Sequence, residues 1–197
     1  MRLNLPNTLT VLRIVMIPVL GLAFLLPLPV AQVLATVIFG LAGVTDWLDG
    51  FLARRLKQTS AFGAFLDPVA DKLIVAVALV AVLTFNNTPY FAVPVAVIIG
   101  REIAVSALRE WMASLGRRAS VAVNMMGKVK TTAQMAAILI LLYGRDVAGL
   151  PLQTIGLWLL YVAAVLTLYS AFLYLRAAWD TIRTEPAPAQ QRQDLGA

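Results

Sequence analysis

The sequence contains no cysteine and no histidine among its 197 residues. These absences exclude disulfide bonds, a zinc site, a cysteine nucleophile, a Ser-His-Asp relay and a phosphohistidine intermediate. Charged residues are also scarce, because they make up only 13% of the chain. Any chemistry that this protein performs must therefore use carboxylates and metal ions.

Apolar residues dominate the composition, with 60% hydrophobic residues and a mean hydropathy of +0.84. These values are far above those of soluble domains and predict an all-α, polytopic membrane protein. Six segments have about the length that crosses a bilayer. They lie at residues 8–26, 31–54, 62–84, 91–115, 125–143 and 152–176. We predict one transmembrane domain over residues 1–183, with six transmembrane helices, a short N-terminal interfacial helical segment and a disordered polar tail at 184–197.

Basic residues cluster at one end of the predicted spans. With six spans, both termini share a compartment, and almost all of the bases that flank the spans fall on that side. These are Arg2, Arg54, Arg55, Lys57, Arg117, Arg118, Lys128, Lys130, Arg176 and Arg183, while Arg145 lies opposite. The positive-inside rule makes this side cytoplasmic. The net charge of +6 therefore reflects topology and contacts with anionic lipids, and does not indicate nucleic-acid binding.

The most distinctive stretch is DWLDGFLARRLKQTSAFGAFLDPVAD, at residues 46–71. Its polar and small residues have the spacing D-x2-D-G-x2-A-R-x8-G-x3-D-x3-D. Asp46, Asp49, Gly50 and Ala53 lie at i, i+3, i+4 and i+7, so they share one helix face. This face places two carboxylates beside two residues with almost no side chain.

Gly63, Asp67 and Asp71 repeat this arrangement on a second helix. A solvated helix face is the usual explanation for acids at such spacings, but the flanking apolar runs disfavour it here. Four carboxylates near a membrane repel one another unless divalent cations neutralise them, and oxygen ligands suit Mg²⁺ or Mn²⁺. Two acid pairs can hold two such ions about 3.5–4 Å apart for in-line phosphoryl displacement. Arg54 can reach a phosphate with its planar donors.

The pattern resembles the signature of the CDP-alcohol phosphotransferase family, with every fixed position present. The likeness extends to LPNTLTVLRIVMIPV, REIAVSALREWMASLG and GKVKTTAQM. It implies that CDP-diacylglycerol donates its phosphatidyl group to an alcohol and that CMP leaves. The donor-binding residues implied are Asp46, Asp49, Gly50, Ala53, Arg54, Ser60 and Gly63. The metal ligands implied are Asp46, Asp49, Asp67 and Asp71, of which Asp71 is also the catalytic base.

The family members most similar to this chain use sn-glycerol 3-phosphate as the acceptor, so the resemblance implies that alcohol here. We expect its phosphate to meet a set of bases and one hydroxyl. These residues are Arg101, Arg109, Lys128, Thr131 and Arg13. We expect Lys130 to point elsewhere and to anchor the cytoplasmic side. The resemblance also implies a homodimer in the bacterial cytoplasmic membrane, with the active site facing the cytoplasm.

Two alternatives remain open at this stage. A sister enzyme of the same family would use inositol phosphate, serine or phosphatidylglycerol as the acceptor. A small cation transporter would instead move ions along intramembrane acids. A transporter needs acids through the whole depth of the membrane, whereas these four cluster near one face.

Overall fold

A computed structural model of the chain describes residues 5–56, 61–115 and 124–184. Six α-helices account for almost all of this part. They are α1 Leu5–Leu22, α2 Leu28–Leu56, α3 Ala61–Asn86, α4 Pro89–Ser114, α5 Asn124–Tyr143 and α6 Leu152–Thr184, with a 3-10 turn at Ala23–Leu25 between α1 and α2. Within these ranges no β-strand is present, so the predicted all-α fold is confirmed.

Five of the helices are long and apolar enough to cross a membrane. The apolar spans are Thr8–Leu25, Leu28–Phe51, Phe65–Asn86, Pro89–Ser114 and Leu152–Asp180. In α5 the apolar stretch found among the described residues is shorter, at Val129–Tyr143. The prediction of a multi-pass membrane protein is confirmed.

The two ends of the predicted domain compare differently with the structure. The interfacial segment expected before the first span is continuous with α1, which runs unbroken from Leu5 through Arg13. A proline near the start of α1 is compatible with this, because the first turn of a helix has no partner for its N–H groups. The predicted tail from residue 185 onward lies outside the described residues.

Large apolar side chains from every helix form one buried cluster. Its fully buried members include Leu20, Phe39, Leu79, Ile98, Leu141 and Leu160. Between α5 and α6 the packing requires a glycine. A Cβ atom at Gly156 would lie 2.8 Å from Leu141 Cδ2 and 2.9 Å from Ile140 Cγ2. Small residues at helix contacts are typical of membrane bundles, since they let helix backbones approach closely.

The alternating direction of the helices brings the chemistry-bearing segments to one end of the bundle. The beginnings of α1, α3 and α5 meet the final turns of α2 and α4 there. At this end, Thr10 on α1 contacts both Asp49 on α2 and Asp67 on α3, so these three helices meet there. The contact between Lys130 on α5 and Glu102 on α4 extends it.

Candidate active site

The four aspartates of the motif lie on α2 and α3, whose ends meet at this end of the bundle. Asp49 is the most deeply placed, with 4% of its surface exposed. Asp67 and Asp71 are half-buried, and Asp46 is exposed. We call these four side chains the acid face.

A threonine from α1 joins the two helices of the acid face. Thr10 Oγ1 lies 3.2 Å from Asp49 Oδ2 and also contacts Asp67 Oδ1. A hydroxyl has only one proton, so Thr10 donates to one of these carboxylates at a time. The side chain is buried, and its position therefore depends on the packing of α1 against both acid-bearing helices.

Arg13, one helical turn further along α1, lies among the carboxylates. Its Nη1 atom is 3.3 Å from Asp46 Oδ1 and donates a hydrogen bond to Asp71, and its Nη2 atom is 4.0 Å from Asp49 Oδ2. Only 1% of the residue is exposed, and its Nε and Nη2 atoms have no hydrogen-bond partner. Thr10 and Arg13 of α1 therefore both face the acid face.

The donor set of the acid face fits a divalent cation. Four carboxylates against the single guanidinium of Arg13 leave three negative charges uncompensated among these contacts. Hard oxygen donors with excess negative charge suit Mg²⁺ or Mn²⁺. In the described part of the chain, however, the acids do not form a group of three or more ligands around one point. Arg13 lies between them and contacts three of the four.

Residues predicted to hold the nucleotide lie beside the acid face as far as the structure describes them. Gly63 is buried at the start of α3, and Gly50 is half-buried on α2. Ala53 and Arg54 belong to α2, but their side chains lie outside the described part, as does Ser60 altogether. The role of these residues stays a prediction.

A cavity of about 540 Å³ opens between α3, α4 and α5. Its polar lining consists of Asp71, Lys72, Glu102, Ser106, Glu110, Lys130, Thr131 and Gln134. Its apolar lining includes Val75, Leu79, Ile98, Ile99 and Met135. We call this cavity the groove. Asp71 belongs both to the acid face and to the groove, so the two regions share a carboxylate.

Lys130 lies in the wall of the groove, and the expectation that it anchors the cytoplasmic side is wrong. Only 6% of the residue is exposed. Its ammonium lies 2.7 Å from Glu102 Oε1. An ammonium in an apolar bundle is costly unless it is paired, which explains why Lys130 turns inward to the carboxylate on α4.

The other predicted acceptor residues are divided between two surfaces. Thr131 lines the groove. Arg101 and Arg109 contact α6 instead, since Arg101 Nη2 lies 3.1 Å from Ser170 Oγ and the Arg109 guanidinium lies 5.0 Å from the centre of the Tyr174 ring. Lys128 belongs to α5, but its side chain lies outside the described part.

Sequence reasoning missed the pairing of Glu102 with Lys130. A signal for it was present, because each residue is an ionisable group in a mostly apolar helix. Two such groups of opposite charge are expected to pair when their helices pack together. The order of the helices alone does not say which of Lys128 and Lys130 faces α4.

Comparison with known proteins identifies the family. The family model described as CDP-alcohol phosphatidyltransferase matches residues 3–169, which include the acid face, Arg13, the groove and its Glu102–Lys130 pair. The chain belongs to the CDP-alcohol phosphatidyltransferase family. Members of this family generally depend on a divalent metal ion.

Within the CDP-alcohol phosphatidyltransferases, several bacterial relatives match nearly the whole chain. The relative from Sodalis glossinidius is 57% identical over 180 residues, covering 90% of this chain and 96% of its own. The relative from Pectobacterium atrosepticum is 56% identical, with the same coverage. A Yersinia enterocolitica relative is 53% identical over 182 residues, covering 92% of this chain and 98% of its own. Each is named CDP-diacylglycerol–glycerol-3-phosphate 3-phosphatidyltransferase.

Proposed function

We propose that this protein transfers the phosphatidyl group of CDP-diacylglycerol to sn-glycerol 3-phosphate, which gives phosphatidylglycerophosphate and CMP. The observation that carries the proposal is the position of Asp71, which contacts Arg13 in the acid face and also lines the groove. A donor held at the acid face and an acceptor held in the groove would therefore meet at one carboxylate. The names of the relatives support the same pair of substrates.

The acid face serves the donor. Asp46, Asp49, Asp67 and Asp71 would hold Mg²⁺ or Mn²⁺, which when bound supplies positive charge against the diphosphate and the departing CMP. Thr10 lies between Asp49 and Asp67 and donates its hydrogen bond to one of them at a time.

Arg13 adds a fixed cation among these acids, and its Nε and Nη2 groups still have unused donors. Because Arg13 is buried and contacts three carboxylates, it also limits the repulsion between α2 and α3.

The groove serves the acceptor. Lys130 and Thr131 offer an ammonium and a hydroxyl in the groove that Asp71 also lines. Arg101, Glu102 and Lys130 form one ion cluster with a net charge of +1, in which Lys130 lines the groove while Arg101 is directed to α6. The groove is also lined by Asp71, Lys72 and Glu110. The preference for an acceptor that carries a phosphate over a neutral alcohol therefore comes from the Lys130 ammonium and not from a positive charge of the whole lining.

The chemical step needs one displacement and one proton transfer. One hydroxyl group of the acceptor attacks the phosphorus that bears the diacylglycerol group. The bond from that phosphorus to the oxygen of CMP breaks. Asp71 accepts the proton that the hydroxyl loses. No covalent intermediate with the protein is required.

The two alternatives receive less support. Serine would make little use of the positive cluster, and the relatives that cover nearly all of this chain are named for glycerol 3-phosphate. A cation transporter would need acidic groups along a path through the membrane. The described acids of the motif instead cluster at one end of α2 and α3, beside the groove.

Placement in the membrane follows from the same reasoning. We infer that the acid face lies at the cytoplasmic boundary, because the bases of the chain flank that end of the helices. Glycerol 3-phosphate then enters from water, while CDP-diacylglycerol enters from the lipid. A homodimer is the assembly that the family resemblance implies.

The test of this function is product formation by the purified protein in detergent. Labelled glycerol 3-phosphate should become lipid-soluble with release of one CMP for each label incorporated. Serine, inositol phosphate and phosphatidylglycerol, supplied at equal concentrations, should be consumed more slowly. Faster use of any of these would replace the named acceptor, and absence of CMP release with all four would refute phosphatidyl transfer.

A further inference from the structure

We propose that Glu102 is a positioning residue which holds the Lys130 ammonium at the wall of the groove and thereby determines affinity for the acceptor. The inference rests on the proposed function, since it concerns the same acceptor. It assigns a role to an acid outside the aspartate motif.

The geometry around Glu102 supports this role. Its Oε1 atom accepts a hydrogen bond from Lys130 Nζ at 2.7 Å and another from Arg101 Nη1 at 2.8 Å. The lysine comes from α5, whereas the carboxylate and the arginine are neighbours on α4. One carboxylate oxygen therefore joins the two helices that form opposite walls of the groove.

Arg101 fixes the carboxylate in turn. Its Nε atom donates to the carbonyl oxygen of Thr167 at 3.2 Å, and its Nη2 atom donates to Ser170 Oγ at 3.1 Å. Both acceptors lie on α6, and both residues are buried. Glu102 is thus held from one side by α6 through Arg101, while it holds Lys130 on the other side.

The charge of Lys130 remains available to a ligand. An ammonium has three N–H donors, and the bond to Glu102 uses one of them. The remaining donors can meet a phosphate while the carboxylate limits the motion of the long lysine side chain. Holding a flexible cation in its bound position reduces the entropy that acceptor binding costs.

Loss of the Glu102 charge should release Lys130 within the groove. Asp71 and Glu110 also line the groove, and each would attract a free ammonium. A lysine drawn to Asp71 would no longer meet the acceptor phosphate. The defect should therefore appear in acceptor binding, whereas the donor is held at the acid face on α2 and α3.

The direct test compares Glu102→Gln with the wild type in steady-state kinetics, in one detergent and with both substrates varied. We expect KM for glycerol 3-phosphate to rise about tenfold, a factor at the lower limit for hydrogen bonds to charged groups. KM for CDP-diacylglycerol should change by less than about twofold. An equal rise in both constants would overturn the proposal, because it would indicate a purely structural role.

A double-mutant cycle separates positioning of Lys130 from other effects. If Glu102 acts through Lys130, adding Glu102→Gln to a Lys130→Gln protein should not raise the acceptor KM further. Independent effects, with the two rises multiplying, would contradict the inference. Asp146→Asn is the matched control, since it also changes an acid to its amide but lies in the α5–α6 connection at the other end of the bundle.

Glu102→Asp provides a second measurement if the amide variant does not fold. Aspartate keeps the charge but places it one methylene further from Lys130. The acceptor KM should rise severalfold relative to the wild type, with the donor KM unchanged. An unchanged acceptor constant, or an equal rise in both constants, would overturn the positioning role.

Discussion

At the scale of single residues, buried charges are held by specific partners. Arg13 is almost completely buried and contacts three aspartates, and Lys130 is buried against Glu102. Uncompensated charges in such positions would be strongly destabilising. In the proposed reaction each pair also lies where a phosphate would bind, so the partners that make burial tolerable would also orient the charges for the substrate.

The two basic residues that face different surfaces should respond differently to substitution. Lys130→Gln removes a cation from the groove and should weaken glycerol 3-phosphate binding by about 1.5–3 kcal/mol, the scale for a hydrogen bond to a charged group. Arg109→Gln removes a contact with the Tyr174 ring and should mainly lower stability, by about 0.5–1 kcal/mol. Acceptor KM and thermal unfolding measured on both proteins check this. A larger acceptor defect for Arg109→Gln would place that arginine in the acceptor site.

The sequence predicts which residues share a helix face, but it predicts only some of the partners that they contact. The spacing from Asp46 to Asp71 predicts which acids share a face, because helix periodicity fixes it. For Arg13 only the family resemblance implies a place in the site, as a residue for the acceptor phosphate. For Arg101 and Arg109 the spacing predicts a shared face, but not that this face packs against α6. That choice depends on how the helices pack, which a single sequence does not contain.

Among the helices, α4 connects the groove to the rest of the bundle. Glu102 and Ser106 on one side of α4 line the groove. Arg101 on the neighbouring side binds α6. Movement of α6 relative to α4 would therefore disturb the groove, although α6 contributes none of the described lining residues.

The α5–α6 contact can be tested through its glycine. Gly156→Ala places a methyl group within 3 Å of Leu141 and Ile140, so we expect a loss of about 1–3 kcal/mol in stability, as for other overpacked contacts. Gly100→Ala on α4 is the control, because nothing lies within 4 Å of its added Cβ. Thermal unfolding in detergent should show a lower Tm for the first protein only. Equal Tm values would mean that α5 and α6 do not pack this closely.

The helices themselves were predictable because their apolar lengths and breaks are clear. Predicted spans and observed helices agree closely for α4 and α5, whereas α2 and α6 extend beyond the predicted ends. α6 contains 33 residues, which at about 1.5 Å per residue exceeds the hydrocarbon thickness. Hydropathy marks the part of a helix that prefers lipid, whereas the helix continues as far as its backbone hydrogen bonds do.

For the whole molecule, the proposed access of glycerol 3-phosphate to the groove requires that this end of the bundle faces the cytoplasm. The absence of cysteine makes this directly testable, since any introduced thiol is unique. Ser114→Cys at the end of α4 should react with a membrane-impermeant maleimide only after the membrane is opened. Val147→Cys, between α5 and α6, should react in intact spheroplasts. The reverse pattern would place the acid face outside.

Dependence on a divalent metal ion is the second expected property of the whole molecule. Exhaustive EDTA treatment should abolish phosphatidyl transfer, and Mg²⁺ or Mn²⁺ should restore it, because the acid face otherwise repels an anionic diphosphate. Ca²⁺ is a useful comparison, since it also binds oxygen ligands but accepts more of them at longer distances. Activity that survives EDTA treatment would refute the assignment of the four aspartates as metal ligands.

Asp71 is the carboxylate shared by the acid face and the groove, and its substitution tests whether these two regions form one active site. CMP release and CDP-diacylglycerol binding should be measured together on purified Asp71→Asn protein. The amide fills the same space but cannot accept the proton of the attacking hydroxyl, so turnover should be abolished while donor binding is partly retained. Near-normal turnover would show that the acceptor loses its proton elsewhere and that the two regions do not form one active site through Asp71.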